Sequence, residues 1–196
     1  MNVQPTFFIP IASDTLGNVD NAAIRKYCLD LKENNSGRTK SNKGGWQSDD
    51  IIGYVPELNQ LFIEITDRIN AFHCSLGYKQ SLKQKIYNTW INVNGLGHFN
   101  APHTHPGSIF SGVYYVDGQE DSGNLMVLNP NPFNLNDSWI EEYNTYTSAH
   151  WWFPPTPGTL IIFPSSLLHY VEPNRNTKER ISISFNTYIV NDNDLS

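Results

Sequence analysis

Three histidines and one arginine stand out for what they could do together. His103-Thr104-His105 lies between Pro102 and Pro106. On an extended segment residues two apart point to the same face, so both imidazoles can converge on one metal ion. Imidazole suits iron, zinc, copper and nickel alike, and ligand type alone does not choose among them. His169 sits in the apolar run Phe163-Pro164-Ser165-Ser166-Leu167-Leu168-His169-Tyr170-Val171. Alone, a histidine in such a run is more often hydrogen-bonded core than ligand. Eleven positions later, Arg180-Ile181-Ser182-Ile183-Ser184-Phe185 alternates polar with apolar residues, so Arg180, Ser182 and Ser184 share one face. An arginine facing a barrel interior is costly to desolvate unpaired. A buried anionic partner would resolve that cost, because a planar guanidinium matches a carboxylate through two hydrogen bonds. The competing reading has Arg180 facing solvent or pairing with an acidic side chain.

These residues need a scaffold, and the chain supplies two textures. Val19 to Leu31 and Leu58 to Leu76 carry apolar residues at helical spacing, with Asp20 or Asn18 able to cap the first helix. Pro56 fits just inside the second helix and Gly77 just past its end. Between them, Glu33 to Asp50 is rich in Asn, Ser, Gly and Lys and reads as loop, a candidate lid. Trp46 within it either anchors the loop to the core or lines a substrate cleft. From Lys83 onward the pattern is β, with strands expected at about 84–93, 98–104, 108–116, 123–128, 144–152, 159–163, 167–172 and 179–190. Turn pairs such as Asn94-Gly95, Asp117-Gly118 and Pro157-Gly158 separate them. The expected fold is mainly β, a cupin-like jelly roll or double-stranded β-helix spanning about 83–190. Helical support over about 18–78 completes one domain over residues 1–196.

Composition narrows the function classes. The net charge is −6 without a dense Lys/Arg run, which argues against a dedicated nucleic-acid or anionic-membrane surface. No window approaches the ~20 apolar residues of a membrane helix. Without a visible signal peptide, the expected location is the cytoplasm. Cys28 and Cys74 read as two buried structural thiols. The aromatic content is compatible with a homodimer.

Taken together, these residues resemble a known superfamily. His-x-(second ligand), a distal His and Arg-x-Ser some ten residues later look like the iron(II)/2-oxoglutarate oxygenases, in which a double-stranded β-helix presents the metal ligands. Ser111-Gly112-Val113-Tyr114-Tyr115-Val116-Asp117 is similar to a strand of the prolyl hydroxylases. Ser122-Gly123-Asn124-Leu125 resembles the turn after that strand, and Pro157-Gly158-Thr159-Leu160-Ile161-Ile162-Phe163 the strand leading to the distal His. Gly44-Gly45-Trp46-Gln47-Ser48, Trp90-Ile91-Asn92-Val93-Asn94 and His103-Thr104-His105-Pro106 look like an uncharacterised bacterial and phage group of such oxygenases. The resemblance implies iron(II) and 2-oxoglutarate as cofactor and cosubstrate, oxygen as co-reactant, and hydroxylation of an unidentified substrate with release of succinate and CO2. It assigns His103, His105 and His169 to the metal, and Arg180, Ser182, Tyr115 and Ser111 to the cosubstrate. Asn92, Asn186, Trp46 and His98 become candidate substrate contacts or supports of the ligands.

One departure matters. His105 stands where most of the superfamily has Asp or Glu. In one arrangement all three histidines ligate together. In another, His103 and His169 bind with water and His105 stands behind them. In a third, His105 is the first ligand with Gly107 in the carboxylate position, as in iron halogenases. Two other functions compete with the oxygenase: a cupin-type dioxygenase that needs no cosubstrate, and a non-catalytic jelly-roll binding module. His73 reads as structural or exposed. His150 and the aromatic stretch Trp139 to Phe153 read as core, interface or a cleft wall.

Overall fold

The alternating runs beyond residue 82 become strands and close into two facing sheets. The computed structural model describes residues 1–2, 6–131 and 137–191. Its elements are β1 (Ala12–Thr15), α1 (Asn21–Asn34), β2 (Asn42–Lys43), β3 (Trp46–Gln47), α2 (Pro56–Ser75), β4 (Leu82–Asn94), β5 (Phe99–His103), β6 (Phe110–Asp117), β7 (Leu125–Leu128), β8 (His150–Phe153), β9 (Thr159–Pro164), β10 (His169–Val171) and β11 (Arg180–Asn191). The major sheet has the order β1-β9-β6-β11-β4-β3 and the minor sheet β2-β5-β10-β7-β8. Pairing is antiparallel throughout. From β4 to β11 the chain crosses between sheets at almost every connection, which makes a double-stranded β-helix.

Period-two patterning decides what each face touches. On β11, Ile181, Ile183 and Phe185 point outward, joined by Ile91 and Val93 of β4, Tyr114 and Val116 of β6, and Leu160 and Ile162 of β9. The two helices cover this face with Ile24, Cys28, Leu58, Leu61, Ile65 and Ile69. Helix α1 starts where Asp20 Oδ1 accepts hydrogen bonds from the Ala22 and Ala23 amides, both 3.0 Å, a cap worth about 1 kcal/mol. Helix α2 starts on Pro56 and ends before Gly77, whose φ of 80° few other residues tolerate.

The inner faces divide the sandwich into two ends. At one end Val113, Leu125, Val127, Ile161, Phe163 and Leu167 fill the space between the sheets. At the other the inward residues of β4 and β11 are polar: Asn92, Arg180, Ser182 and Asn186, all buried. A polar row on an inner face would be unfavourable in a packed core; here it borders a cavity.

Several expectations need correction. The segment 33–50 is not one loop. It contributes β2 to the minor sheet, with Asn42 opposite Asn100, and β3 to the major sheet, with Gln47 opposite Asn92. Two-residue strands leave no periodicity for a sequence reading to detect. Strand β1 is not among the expected strands, because Ala-Ser-Asp-Thr is a polar edge strand without apolar alternation. The strand expected at 144–152 begins only at His150, since Asn144 closes a turn with the Thr147 and Ser148 amides. Cys28 is buried, but Cys74 is exposed, because it follows the last core-facing position of α2, His73. No helix among the described residues is long and apolar enough to cross a membrane.

Candidate metal and cosubstrate site

The antiparallel register of the minor sheet brings two of the histidines together. His103 ends β5 and His169 begins β10, and the two are cross-strand partners. Directly opposed residues on one face have side chains in contact, and their ring centroids lie 4.3 Å apart. His105, two residues further, returns to the same face, with its ring 4.9 Å from His103 and 5.1 Å from His169. One ligating nitrogen from each ring lies within 4.8 Å of the others. The backbone fixes which nitrogen that is. The carbonyls of Ala101 and Leu167 can only accept, so Nδ1–H of His103 donates to the first at 2.7 Å and Nδ1–H of His169 to the second at 2.9 Å. Nε2 of each ring is thereby left as the lone-pair donor, the orienting arrangement common to metal-bound histidines.

Burial keeps these rings neutral. It lowers the pKa of His103, takes His105 down to about 4 and His169 down to about 3, with the neighbouring rings adding to the last two. Three uncharged imidazoles facing one point are ready to ligate without first losing protons.

The second half of the site is Arg180. Its side chain is 2% exposed. Nη1 donates to the carbonyls of Ser122, Gly123 and Glu172, the last two at 3.1 and 3.3 Å. Gly123 makes this cradle possible: at φ 89°, a Cβ there would stand 2.7 Å from Arg180 Nη1 and 2.3 Å from the Glu172 carbonyl. Nη2 is buried without a partner, and among the described residues the ion pairs leave Arg180 without a carboxylate. A buried guanidinium with one edge held by backbone and the other edge vacant is built to receive an anion.

Ser182 and Tyr115 stand beside it as cross-strand partners on β11 and β6, and both line the same cavity of about 760 Å³. Burial pushes the Tyr115 hydroxyl up to about 12, so it stays protonated and able to donate. Three histidines that could hold a metal ion on one wall, and a guanidinium with one free nitrogen on another, fit an iron ion and a dicarboxylate bound together.

Other candidates fall differently. Asn92 and Asn186 line the cavity. Asn92 Nδ2 donates to Ser184 Oγ at 3.2 Å, while its buried Oδ1 has no partner. Ser111 does not line the cavity. Its hydroxyl donates to Asn186 Oδ1 at 2.6 Å and lies 2.8 Å from Ser165 Oγ, so it braces Asn186. Trp46 is turned toward the core, with its indole N–H donating to the Asn35 carbonyl at 2.8 Å; its neighbour Gln47 is the one at the cavity. His98 accepts from the Gly95 amide at 3.0 Å in the turn after β4, outside the cavity lining. Gly107 lies in the turn beyond His105 and is likewise outside the lining. His73 is fully buried against Lys79 and Gln84, a structural role. His150 and Trp151 border a separate groove with Phe7 and Tyr146 rather than the histidine cavity.

Sequence reasoning missed Arg38, Lys40, Lys43, Gln47, Asp50 and Asn88, which also line the cavity. All but Asn88 come from the 33–50 segment, and only the alternation of β4 could have signalled Asn88, two positions before Trp90.

Known proteins share this fold and, over half of the chain, a family pattern. Residues 88–186 match a protein family described as "Putative 2OG-Fe(II) oxygenase". The chain resembles the crystal structure of a Pseudomonas putida prolyl-4-hydroxylase, with TM-score 0.64 and 16% identity over 91% of this chain and 92% of that one. It also resembles a viral collagen prolyl hydroxylase from Paramecium bursaria Chlorella virus-1, crystallised with 2-oxoglutarate, with TM-score 0.56 and 12% identity over 90% and 94%. A third likeness is to SnoK, an alpha-ketoglutarate-dependent carbocyclase of nogalamycin biosynthesis, with TM-score 0.63 and 11% identity over 91% and 79%. No curated protein matches the chain.

Proposed function

We propose that this chain, which belongs to the 2OG-Fe(II) oxygenase family, holds iron(II) on His103, His105 and His169 and hydroxylates its substrate. As an iron(II)- and 2-oxoglutarate-dependent oxygenase it needs both cofactor and cosubstrate, and neither a cosubstrate-independent dioxygenase nor a passive binding module is favoured. One observation carries the residue assignment: three neutral imidazoles and a half-unpaired buried guanidinium border one cavity. Together, iron(II) and 2-oxoglutarate supply the oxidative chemistry, in which oxygen is reduced as the 2-oxo acid loses CO2 and becomes succinate.

The chain's own residues bind and orient. Arg180 receives the distal carboxylate of 2-oxoglutarate on Nη2, flanked by hydroxyl donors from Ser182 and Tyr115. His103 and His169, each locked through Nδ1, hold the metal on the opposite wall, and His105 completes the set. Its ring makes no hydrogen bond among the described residues, which supports a ligand role over a bracing one. Leu125, Val171 and Phe163 line part of the cavity and limit water around the metal.

Iron stoichiometry after anaerobic loading tests the ligand set. His169→Ala is expected to lose stoichiometric iron, and full occupancy in that variant would refute the assignment. His105→Ala is expected to lose it as well; retained iron would return His105 to a bracing role.

A further inference from the structure

The cavity carries a charge opposite to that of the chain around it. The sequence has a net charge of −6, yet Arg38, Lys40, Lys43 and Arg180 line the cavity against a single carboxylate, Asp50. Asp50 is already matched, since Arg38 Nη2 donates to its Oδ1 at 2.6 Å. Arg38 Nε remains buried without a partner. Lys40 and Lys43 are exposed at the mouth and belong to no ion pair among the described residues.

These cations do not ride on a free loop. The Asn42 side chain ties their segment together: Nδ2 donates to the carbonyls of Gly45 at 2.7 Å and Arg38 at 3.2 Å, and Oδ1 accepts from the Lys40 amide at 2.7 Å. Strands β2 and β3 then fasten the segment to both sheets. It also lies outside residues 88–186, the span matched by the family.

Loading the site leaves this charge unanswered. Iron(II) on neutral ligands and dianionic 2-oxoglutarate cancel, so one net positive charge remains at Arg180 even with its guanidinium engaged by the distal carboxylate. Lys40 and Lys43 are then surplus positive charge at the mouth of a low-dielectric cavity, where fields focus. Resting on the iron and 2-oxoglutarate reading of the site, we infer that the primary substrate is a small anion whose carboxylate or phosphate group is received by Lys40, Lys43 and Arg38 at the cavity mouth.

The test uses the full chain loaded anaerobically with iron(II) and saturating 2-oxoglutarate, at low ionic strength because exposed charges are screened by salt. The visible band of the iron chelate is recorded first in every sample. Its absence from the wild type refutes the iron and 2-oxoglutarate reading, independently of any anion binding. Calorimetric titrations are then run with inorganic phosphate, propionate and the neutral propionamide. Saturable binding of phosphate or propionate, but not propionamide, is expected, and the tighter anion identifies the acidic group. The double variant Lys40→Gln/Lys43→Gln is expected to weaken that binding at least tenfold with the band intact. Binding by neither anion, equal binding by propionamide, or equal affinity in the variant would overturn the inference. Loss of the band in the variant would overturn it too, by assigning both lysines to the cosubstrate.

Discussion

Arg180 shows how a single side chain can carry functional information. Its position on the polar face of an alternating strand already implied an unusual partner, and the structure leaves Nη2 buried and unpaired. Arg180→Ala should keep iron yet lose at least tenfold in 2-oxoglutarate affinity, measured by anaerobic titration of the iron-loaded protein; unchanged affinity would remove Arg180 from the cosubstrate site. That loss matches the ~1.5–3 kcal/mol of a hydrogen bond to a charged group. His103, His105, His169, Arg180 and Ser182 were legible because their spacing survives in the linear chain. Arg38, Lys40 and Gln47 were not, because a segment without periodicity gives no clue to the face it will present. Trp46 shows the same limit: of its two readings, core anchor and cleft wall, the first holds, while the plain Gln47 beside it, which nothing in the segment singles out, reaches the cavity.

At the scale of elements, the helices are a buttress for the sheet that carries Arg180. Ile65 and Leu61 are fully buried beneath the outer face of β4 and β11. Ile65→Ala should therefore cost about 2–5 kcal/mol, read as a lowered denaturation midpoint, while leaving the cavity residues unaltered. A loss under about 1 kcal/mol would mean that α2 is not held by this contact. The helices and long strands were readable because period 3.6 and period 2 repeat many times along them. The clasp formed by β2 and β3 was not, since its order comes from side-chain hydrogen bonds of Asn42 and from ladders with distant strands.

Over the whole molecule, the sandwich is packed at one end and polar at the other, and three imidazoles, one buried and two half-buried, meet in the polar end. Their folded pKa values are lowered, so below the ordinary value of 6.5 the unfolded chain takes up protons that the folded one refuses. The metal-free protein should thus lose stability as pH falls from 6.5 toward about 4 and, through His169, about 3. The slope is up to roughly 1.4 kcal/mol per pH unit for each ring. Denaturant titrations of the metal-free protein should show a loss on the order of 4 kcal/mol between about pH 7 and pH 5, half of it from each of His105 and His169. A flat profile would mean that the rings protonate freely while folded.

The most direct measurement of the central claim is an anaerobic titration of the iron(II)-loaded protein with 2-oxoglutarate, followed through the visible charge-transfer band of the chelate. A saturable band at one equivalent of iron, with an affinity that falls at least tenfold in Arg180→Ala, is the predicted result. Bound iron that gives no band with 2-oxoglutarate would contradict the account.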